Sequence, residues 1–324
     1  MKKVCFAAFL VSMVMTSMLS AGEKKPLNML FVGNSFTGMH GIAFLVKHMV
    51  ESGKPNLEVS YLLALSGGKT LEWHWGRENQ GYLKLPAFSK EALTAAHAEM
   101  EKGRPETKGK KGAQIPYNQR ANNYEKWLQL METSRETPKL DYVSLQSHRD
   151  EDGELESRYA EYARKYVKLA REHGTKPILY VTAFYEIRPQ PLSKAPDPEP
   201  IMKKTRYHAK LANELDALVV PMPLAVLKVQ QKRPDLTLRY SDDKHLNQAC
   251  AYLTVCCFYA AIFSESPVGL AMREINNPGF KGRRDPDGNP KNVVFSEEVA
   301  TVLQKSAWEA VTEMKKLQNE LADR

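Results

Sequence analysis

The residues best suited to chemistry lie in two polar segments near opposite ends of the chain. Gly33-Asn34-Ser35 follows an apolar stretch and precedes a helical pattern, while His245 lies three residues after Asp242 and just before a long apolar helix. Acyl transfer by a serine needs an imidazole that accepts the hydroxyl proton and a carboxylate that orients the ring. Each segment alone is also ordinary turn or helix-capping sequence. Together they predict Ser35 as a nucleophile served by His245 and Asp242.

Groups that could stabilise an oxyanion occur between these two segments. Gly67 and Gly68 follow a second apolar stretch, and Gln146 and His148 follow a third. A glycine lets a backbone N–H approach a reacting carbonyl oxygen, and amide or imidazole side chains supply further donors. We therefore expect an oxyanion hole from the N–H groups of Ser35 and Gly67, completed by Gln146 or His148.

The elements that must position these residues alternate along the chain. Apolar stretches typical of strands are followed by helical patterns, about five times. The predicted strands are residues 28–32, 57–65, 140–146, 178–184 and 217–220. Such alternation favours a mostly parallel sheet with helices on both faces, a three-layer α/β/α sandwich. The carboxyl ends of the strands, where each candidate residue falls, are where crevices form in such sheets.

The amino terminus has the pattern of an export signal. Lys2 and Lys3 precede an apolar run at residues 4–18, and Ser20-Ala21-Gly22 offers small residues for cleavage near Gly22. The run is shorter than the roughly 20 apolar residues that span a bilayer. We expect residues 1–22 to be a signal peptide and the mature protein to be secreted or periplasmic, without a stable membrane anchor.

The remaining residues, 23–324, are expected to form a single domain with two additions. Residues 77–135 are predicted to be a helical insertion, and residues 296–321 a final amphipathic helix. The formal charge of +8 is partly concentrated at residues 102–111. A solvated basic loop explains this better than a nucleic-acid site, so no nucleic-acid partner is expected. The role of the basic segment is left open.

The cysteines give no sign of a metal site. After removal of the signal peptide, Cys250, Cys256 and Cys257 remain, all in one apolar stretch without C-x-x-C spacing. Such residues are more often small buried hydrophobes than metal ligands or disulfide partners. We predict neither a metal nor an organic cofactor.

Four short blocks resemble those of the SGNH hydrolases, also called the GDSL esterase and lipase superfamily. The blocks are Gly33-Asn34-Ser35, Ser66-Gly67-Gly68, Gln146-Ser147-His148-Arg149 and Asp242-Asp243-Lys244-His245. More narrowly, the chain from Leu27 to about Gly269 is similar to an uncharacterised secreted bacterial branch of that superfamily. The resemblance implies a flavodoxin-like α/β/α fold and a Ser35-His245-Asp242 triad, with Asp243 a solvated neighbour.

The blocks depart from the superfamily pattern in two places. Asn34 replaces an aspartate that is not a triad member, and the third block has Gln146 for a glycine and His148 for the oxyanion-hole asparagine. We favour Gln146 slightly as the donor, because a neutral amide carries one at every pH. For substrate binding the candidates are Asn34, Gly68, Trp73 and His74; packing is about as good an explanation for the last two.

The predicted function is hydrolysis of carboxylic esters through an acyl-enzyme. The expected export and the aromatic-containing insertion beside the site suggest a carbohydrate esterase that removes acetyl groups. Its substrate is expected to be a small-molecule or polysaccharide ester. A lipase or thioesterase of the same superfamily is the alternative within the enzymes. A non-catalytic module that binds glycan is the alternative outside them, suggested by the irregular third block. The acyl group, the alcohol and the oligomeric state are left open.

Overall fold

The computed structural model describes residues 24–102, 111–148, 154–182, 190–243, 245–275 and 284–322, without the side chains of residues 111–117. Its main strands are β1 (Lys25–Gly33), β2 (Leu57–Leu65), β3 (Tyr142–Leu145), β4 (Lys176–Val181) and β5 (Leu218–Pro221). They form one parallel sheet in the order β2-β1-β3-β4-β5. A small antiparallel pair, β6 (Glu274–Ile275) and β7 (Val293–Val294), lies apart from it.

Helices connect the strands of the sheet. They are α1 (Ser35–Gly38), α2 (Ile42–Gly53), α3 (Leu71–Gly76), α4 (Lys90–Lys102), α5 (Lys111–Thr133), α6 (Arg158–Glu172), α7 (Glu199–Glu214), α8 (Met222–Lys232), α9 (Gln248–Phe263) and α10 (Glu297–Ala322), with a 3-10 helix at Asn79–Ala87. Residues 77–135, the predicted helical insertion, contain the 3-10 helix, α4 and α5. The last helix, α10, packs on α8 and α9.

The sheet is buried on both faces, as its first strand shows. Met29 and Phe31 belong to one apolar core, while Leu30 and Val32, which point to the opposite face, belong to a second. Successive side chains of a strand alternate between faces, so a strand that is apolar at every position must be covered on both sides. The three-layer α/β/α sandwich with a central parallel sheet of five strands is confirmed.

Helix α9 is buried along nearly its whole length and belongs to one of the two helical layers. Its hydrophobicity is spread around the whole helix, and Cys250, Cys256 and Cys257 are fully buried and unpaired. Burial raises the pKa of all three thiols, since a thiolate is poorly solvated there. The prediction that these cysteines are small buried hydrophobes is confirmed.

The insertion protects an exposed edge of the sheet. Strand β2 lies at the edge, and Asn123 of α5 both accepts from the N–H of Leu63 at 3.1 Å and donates to its carbonyl at 2.7 Å. Gln119 makes the same pair of bonds with Leu65, at 2.8 and 2.9 Å. Two side-chain amides one helical turn apart therefore take the place of a sixth strand, which blocks edge-to-edge pairing with another chain.

Nothing in the described ranges resembles a membrane-spanning segment, because no helix there combines the necessary length and apolarity. The predicted signal peptide, residues 1–22, and most of the basic segment at residues 102–111 lie outside the described residues. Export and cleavage near Gly22 stay predictions.

Candidate active site

Ser35 lies at the first turn after β1, where the chain reverses tightly into α1. A Cβ at Gly33 would lie 2.7 Å from Gln146 Oε1 and 2.8 Å from Thr37 Oγ1, so only glycine fits that position. Asn34 then caps α1, because its side-chain oxygen accepts from the N–H of Phe36 at 3.0 Å. The strand, the glycine and the cap together hold Ser35, half-buried, at the carboxyl edge of the sheet.

His245 lies in a loop that is closed like a hairpin. Arg239 and Leu246 form an isolated antiparallel bridge, and the N–H of Tyr240 donates to the carbonyl of His245 at 3.2 Å. Just beyond, Asn247 caps α9 by accepting from Cys250 N–H at 3.1 Å. The histidine is thus fixed between a backbone bridge and the start of the most buried helix.

The structure brings Ser35 and His245 together across 210 residues of sequence. Ser35 Oγ lies 2.7 Å from His245 Nε2, and His245 Nδ1 is hydrogen-bonded to Asp243 Oδ1. A carboxylate can only accept, so Nδ1 carries the proton and Nε2 keeps the lone pair that receives the serine hydroxyl. This is the proton arrangement that a serine nucleophile needs.

The carboxylate beside the imidazole is Asp243, whereas the sequence predicted Asp242. Asp243 Oδ1 also accepts from the backbone N–H of His245 at 2.9 Å, so one oxygen binds the same residue twice. An aspartate side chain readily accepts a hydrogen bond from the backbone N–H two residues later, and this bond closes a local turn. Asp242 is exposed instead. The structure corrects the expected pairing, which had assumed three-residue spacing and a solvated Asp243.

Two predicted oxyanion donors follow the strands that flank β1 in the sheet. Gly33 is in register with Leu65 and Val32 with Leu145, so Ser35, Gly67 and His148 each come shortly after the carboxyl end of one of three adjacent strands. Gly67 is exposed, and a Cβ on it would meet nothing within 4 Å. The side chain of His148 is half-buried. Both residues are therefore suitably placed to contribute to one polar site.

Gln146, the slightly favoured side-chain donor, has a different task. Its side chain is fully buried, and Oε1 accepts from the N–H of Asn34 at 2.8 Å. Its Nε2 donates to the carbonyl of Ser147 and to Thr182 Oγ1, the latter at 3.2 Å. An amide whose oxygen and nitrogen are both engaged inside the protein cannot also reach a substrate. This preference was wrong, because Gln146 braces the turn that carries Ser35.

The four predicted substrate-binding residues divide into two pairs. Asn34 is fully buried and donates to the carbonyls of Lys69 and Ser147, at 3.3 and 3.1 Å. His74 is also fully buried, with Nε2 2.8 Å from the Gly33 carbonyl and Nδ1 2.8 Å from Asn79 Nδ2. These two hold the backbone and do not face a substrate, which corrects the expectation.

The other pair is accessible to a ligand. Gly68 is exposed with φ of +65°, which suits the glycine turn after β2. Trp73 is half-buried, and its backbone N–H donates to Thr70 Oγ1 at 3.2 Å at the start of α3. Both remain candidates for substrate contact.

Sequence reasoning missed the residues that hold the histidine loop from behind. His40 is fully buried, with Nε2 2.6 Å from the carbonyl of Leu246, and its ring stacks on Tyr240. From the other side, the Asp287 carboxylate accepts from the N–H of Ser241 at 2.9 Å. The only sequence signal was a histidine shortly after Ser35 and a turn-like Asp-Pro-Asp-Gly-Asn stretch, and neither indicated its partner.

Three buried imidazoles predict a stability that falls in mild acid. Burial lowers the pKa of His40, His74 and His208 to about 4, since the imidazolium loses its hydration. The unfolded chain, with histidine pKa near 6.5, therefore binds more protons between pH 6.5 and 4, so the stabilisation present above pH 6.5 is lost as the pH falls. Each histidine contributes about 1.4 kcal/mol per pH unit in this window.

Urea unfolding at several pH values tests this expectation. His208→Gln, far from Ser35 in sequence, should flatten the dependence of unfolding free energy on pH below 6.5 by about 1.4 kcal/mol per unit. The exposed His48 provides the matched control, His48→Gln, which should keep the wild-type slope. Equal slopes in wild type and His208→Gln would contradict the assignment of a buried neutral imidazole.

The described residues contain no group of three His, Cys, Asp or Glu side chains arranged to hold a metal ion. In this three-layer sandwich a serine and a histidine meet at the carboxyl edge of the parallel sheet. The SGNH hydrolase-like α/β/α fold implied by the four sequence blocks is confirmed as a fold.

Comparisons with known proteins give distant similarities in structure. No family model matches the chain, and no curated protein matches it. A solved protein from Slackia heliotrinireducens assigned to the SGNH hydrolases is 15% identical, with a TM-score of 0.39, over 74% of this chain and 100% of its own. A DUF4886 family protein from Bacteroides uniformis is 14% identical, with a TM-score of 0.44, over 89% and 95% of the two chains.

An acetylxylan esterase from Geobacillus stearothermophilus, Axe2, is also similar. A catalytic mutant of it is 14% identical to this chain, with a TM-score of 0.44, over 75% of this chain and 96% of its own. At such identities and scores these likenesses say nothing of substrate or catalytic residues. What the chain can do chemically must be argued from its own side chains.

Proposed function

We propose that this protein is a serine hydrolase that cleaves carboxylic esters through an acyl-enzyme. The observation that carries the proposal is the chain of contacts from Ser35 Oγ to His245 Nε2 at 2.7 Å and from His245 Nδ1 to Asp243. A serine at this distance from a neutral imidazole, itself oriented by a carboxylate, is activated for attack on a carbonyl carbon. The coarse likeness to esterases in fold agrees with this proposal.

The reaction follows from the proton positions. Nε2 of His245 takes the Ser35 proton as Oγ bonds to the ester carbonyl carbon, and Asp243 stabilises the resulting imidazolium. The imidazolium then gives that proton to the departing alcohol as the carbon–oxygen bond breaks. Water repeats the sequence on the acyl-enzyme: His245 removes its proton, the carboxylic acid leaves, and Ser35 recovers its hydrogen.

The oxyanion formed in each step needs donors fixed beforehand. We assign the backbone N–H groups of Ser35 and Gly67, with His148 as the side-chain donor. The strand order supports this choice, because Gly67 and His148 follow the two strands that flank β1, at the same edge of the sheet as Ser35. One such donor typically lowers the barrier by about 3 kcal/mol. Gln146 is excluded from this role because its amide is engaged inside the protein.

A carbohydrate ester, and an acetyl ester in particular, is the proposed substrate class. The exposed, side-chain-free surface at Gly67 and Gly68 leaves room beside Ser35 for a large alcohol such as a glycan. The half-buried ring of Trp73 lies just beyond this glycine turn, and aromatic faces suit sugar rings. The apolar run at residues 4–18 supports the further proposal that the enzyme acts outside the cytoplasm.

The test uses two substrates. Purified mature protein should hydrolyse 4-nitrophenyl acetate and release acetate from acetylated polysaccharides, with rates that fall as the acyl chain lengthens from acetate to octanoate. A preference for octanoate would instead indicate a lipase or thioesterase. Protein that binds acetylated glycan but is inert towards every ester would show a binding module and overturn the proposed function.

A further inference from the structure

Trp73 lies just after the glycine turn, and two cationic side chains, one from before it in the chain and one from after it, lie against its ring. Lys69 Nζ lies 5.5 Å from the ring centroid, and the guanidinium carbon of Arg77 lies 5.4 Å from it. Cations are attracted to the electron-rich face of an indole, so the ring restricts where both side chains can lie. Lys69, Trp73 and Arg77 form what we call the cationic rim.

The charges of the cationic rim are not neutralised within the described part of the chain, where neither Lys69 nor Arg77 forms an ion pair. The nearest carboxylate in α3, that of Glu72, is engaged by the guanidinium of Arg158. A third cation, Arg120, donates to the carbonyl of Arg77 at 3.2 Å. Lys69 and Arg77 are therefore not paired within the described residues and are available to an anion.

The cationic rim is tied directly to the turn that carries Ser35. The Lys69 carbonyl accepts from the side chain of Asn34 at 3.3 Å, and the N–H of Lys69 closes the glycine turn on Ser66 at 3.3 Å. Gly67, the proposed oxyanion donor, lies two residues before Lys69. The cationic rim therefore adjoins the turn that carries the proposed oxyanion donor.

We propose that the cationic rim is a subsite for a carboxylate carried by the glycan, so that the enzyme prefers acylated acidic sugars to acylated neutral ones. This inference rests on the proposed function. Lys69 and Arg77, both held against the ring of Trp73, pair with the carboxylate. Arginine suits this role especially, because its planar fork matches a carboxylate.

The experiment compares acetylated oligogalacturonides with acetylated xylooligosaccharides of matched length, measured by acetate release. Wild type should show a kcat/KM about tenfold higher for the acidic substrate at low salt, with the difference in KM. At 0.5 M NaCl the preference should largely disappear, because salt screens exposed charges. Lys69→Gln with Arg77→Gln should bring the ratio of the two kcat/KM values close to one.

A second double variant separates a local subsite from overall charge. Lys84→Gln with Lys203→Gln removes two positive charges from exposed positions outside the cationic rim, and it should keep the wild-type ratio. A ratio of the two kcat/KM values near one in wild type would overturn the subsite, and so would an equal loss of preference in both double variants. In either case hydrolysis of 4-nitrophenyl acetate would still support the proposed esterase activity. Failure of that hydrolysis would instead reject the proposed function.

Discussion

Ser35→Ala should lower kcat for 4-nitrophenyl acetate by about 10⁴-fold or more. Alanine removes the oxygen that would form the acyl-enzyme, while the turn that carries it is held by other groups, Gln146 and the cap from Asn34. The protein should therefore fold normally and keep its affinity for the substrate. Steady-state kinetics of the two proteins, with circular dichroism of each, measures the effect.

Two comparisons make this result specific. His245→Ala should cost about as much as Ser35→Ala, and the double variant little more, because residues that act as one unit are not additive. Ser52→Ala, at an exposed serine of α2, should keep full activity. Substantial turnover in Ser35→Ala would show that the nucleophile lies elsewhere, and a fluorophosphonate probe that labels Ser35 only in wild type provides an independent measurement.

The sheet could be predicted from sequence because its strands are buried on both faces. Residues 57–65 are nearly all apolar and end in a glycine turn, and the structure gives β2 the same limits. The long apolar helix predicted just after His245 is α9, which Asn247 caps and which ends at Phe263. Strong local signals define these elements, whereas β3 is shorter than predicted at both ends, and β4 begins at Lys176, earlier than predicted, and ends at Val181.

The details of the site could not be predicted, because they depend on groups that are distant in sequence. In the sequence Gln146 is a polar side chain after a strand and was expected to be a free donor. In the structure its oxygen accepts hydrogen bonds from Asn34 and Thr37, which lie more than a hundred residues earlier in the chain. His40 meets the carbonyl of Leu246 across 206 residues. No periodicity or spacing along the chain encodes such pairings.

These distant contacts explain how a loop can hold a histidine accurately. His40 fixes the carbonyl of the residue after His245, and Asp287 fixes the N–H of Ser241 at the start of the loop. Between these two points the backbone bridge closes the segment. A loop clamped at both ends has little freedom, so the contact between His245 and Ser35 does not depend on substrate binding.

The choice between two adjacent aspartates predicts the second large effect. Asp243→Asn should lower kcat by about 10⁴-fold, because an amide can donate to Nδ1 and so favour the tautomer whose proton sits on Nε2. That tautomer cannot accept the proton of Ser35. The measurement is kcat for 4-nitrophenyl acetate across pH 5 to 9.

Asp242→Asn is the matched control, since it makes the same chemical change one residue away at an exposed side chain. Its kcat should stay within about twofold of wild type, as expected for a surface substitution that removes no contact with the imidazole. The reverse result, a large loss in Asp242→Asn and a small one in Asp243→Asn, would restore the three-residue spacing implied by the family blocks. Asp243 receives both the ring and the backbone N–H of His245, so we expect the loss to follow Asp243.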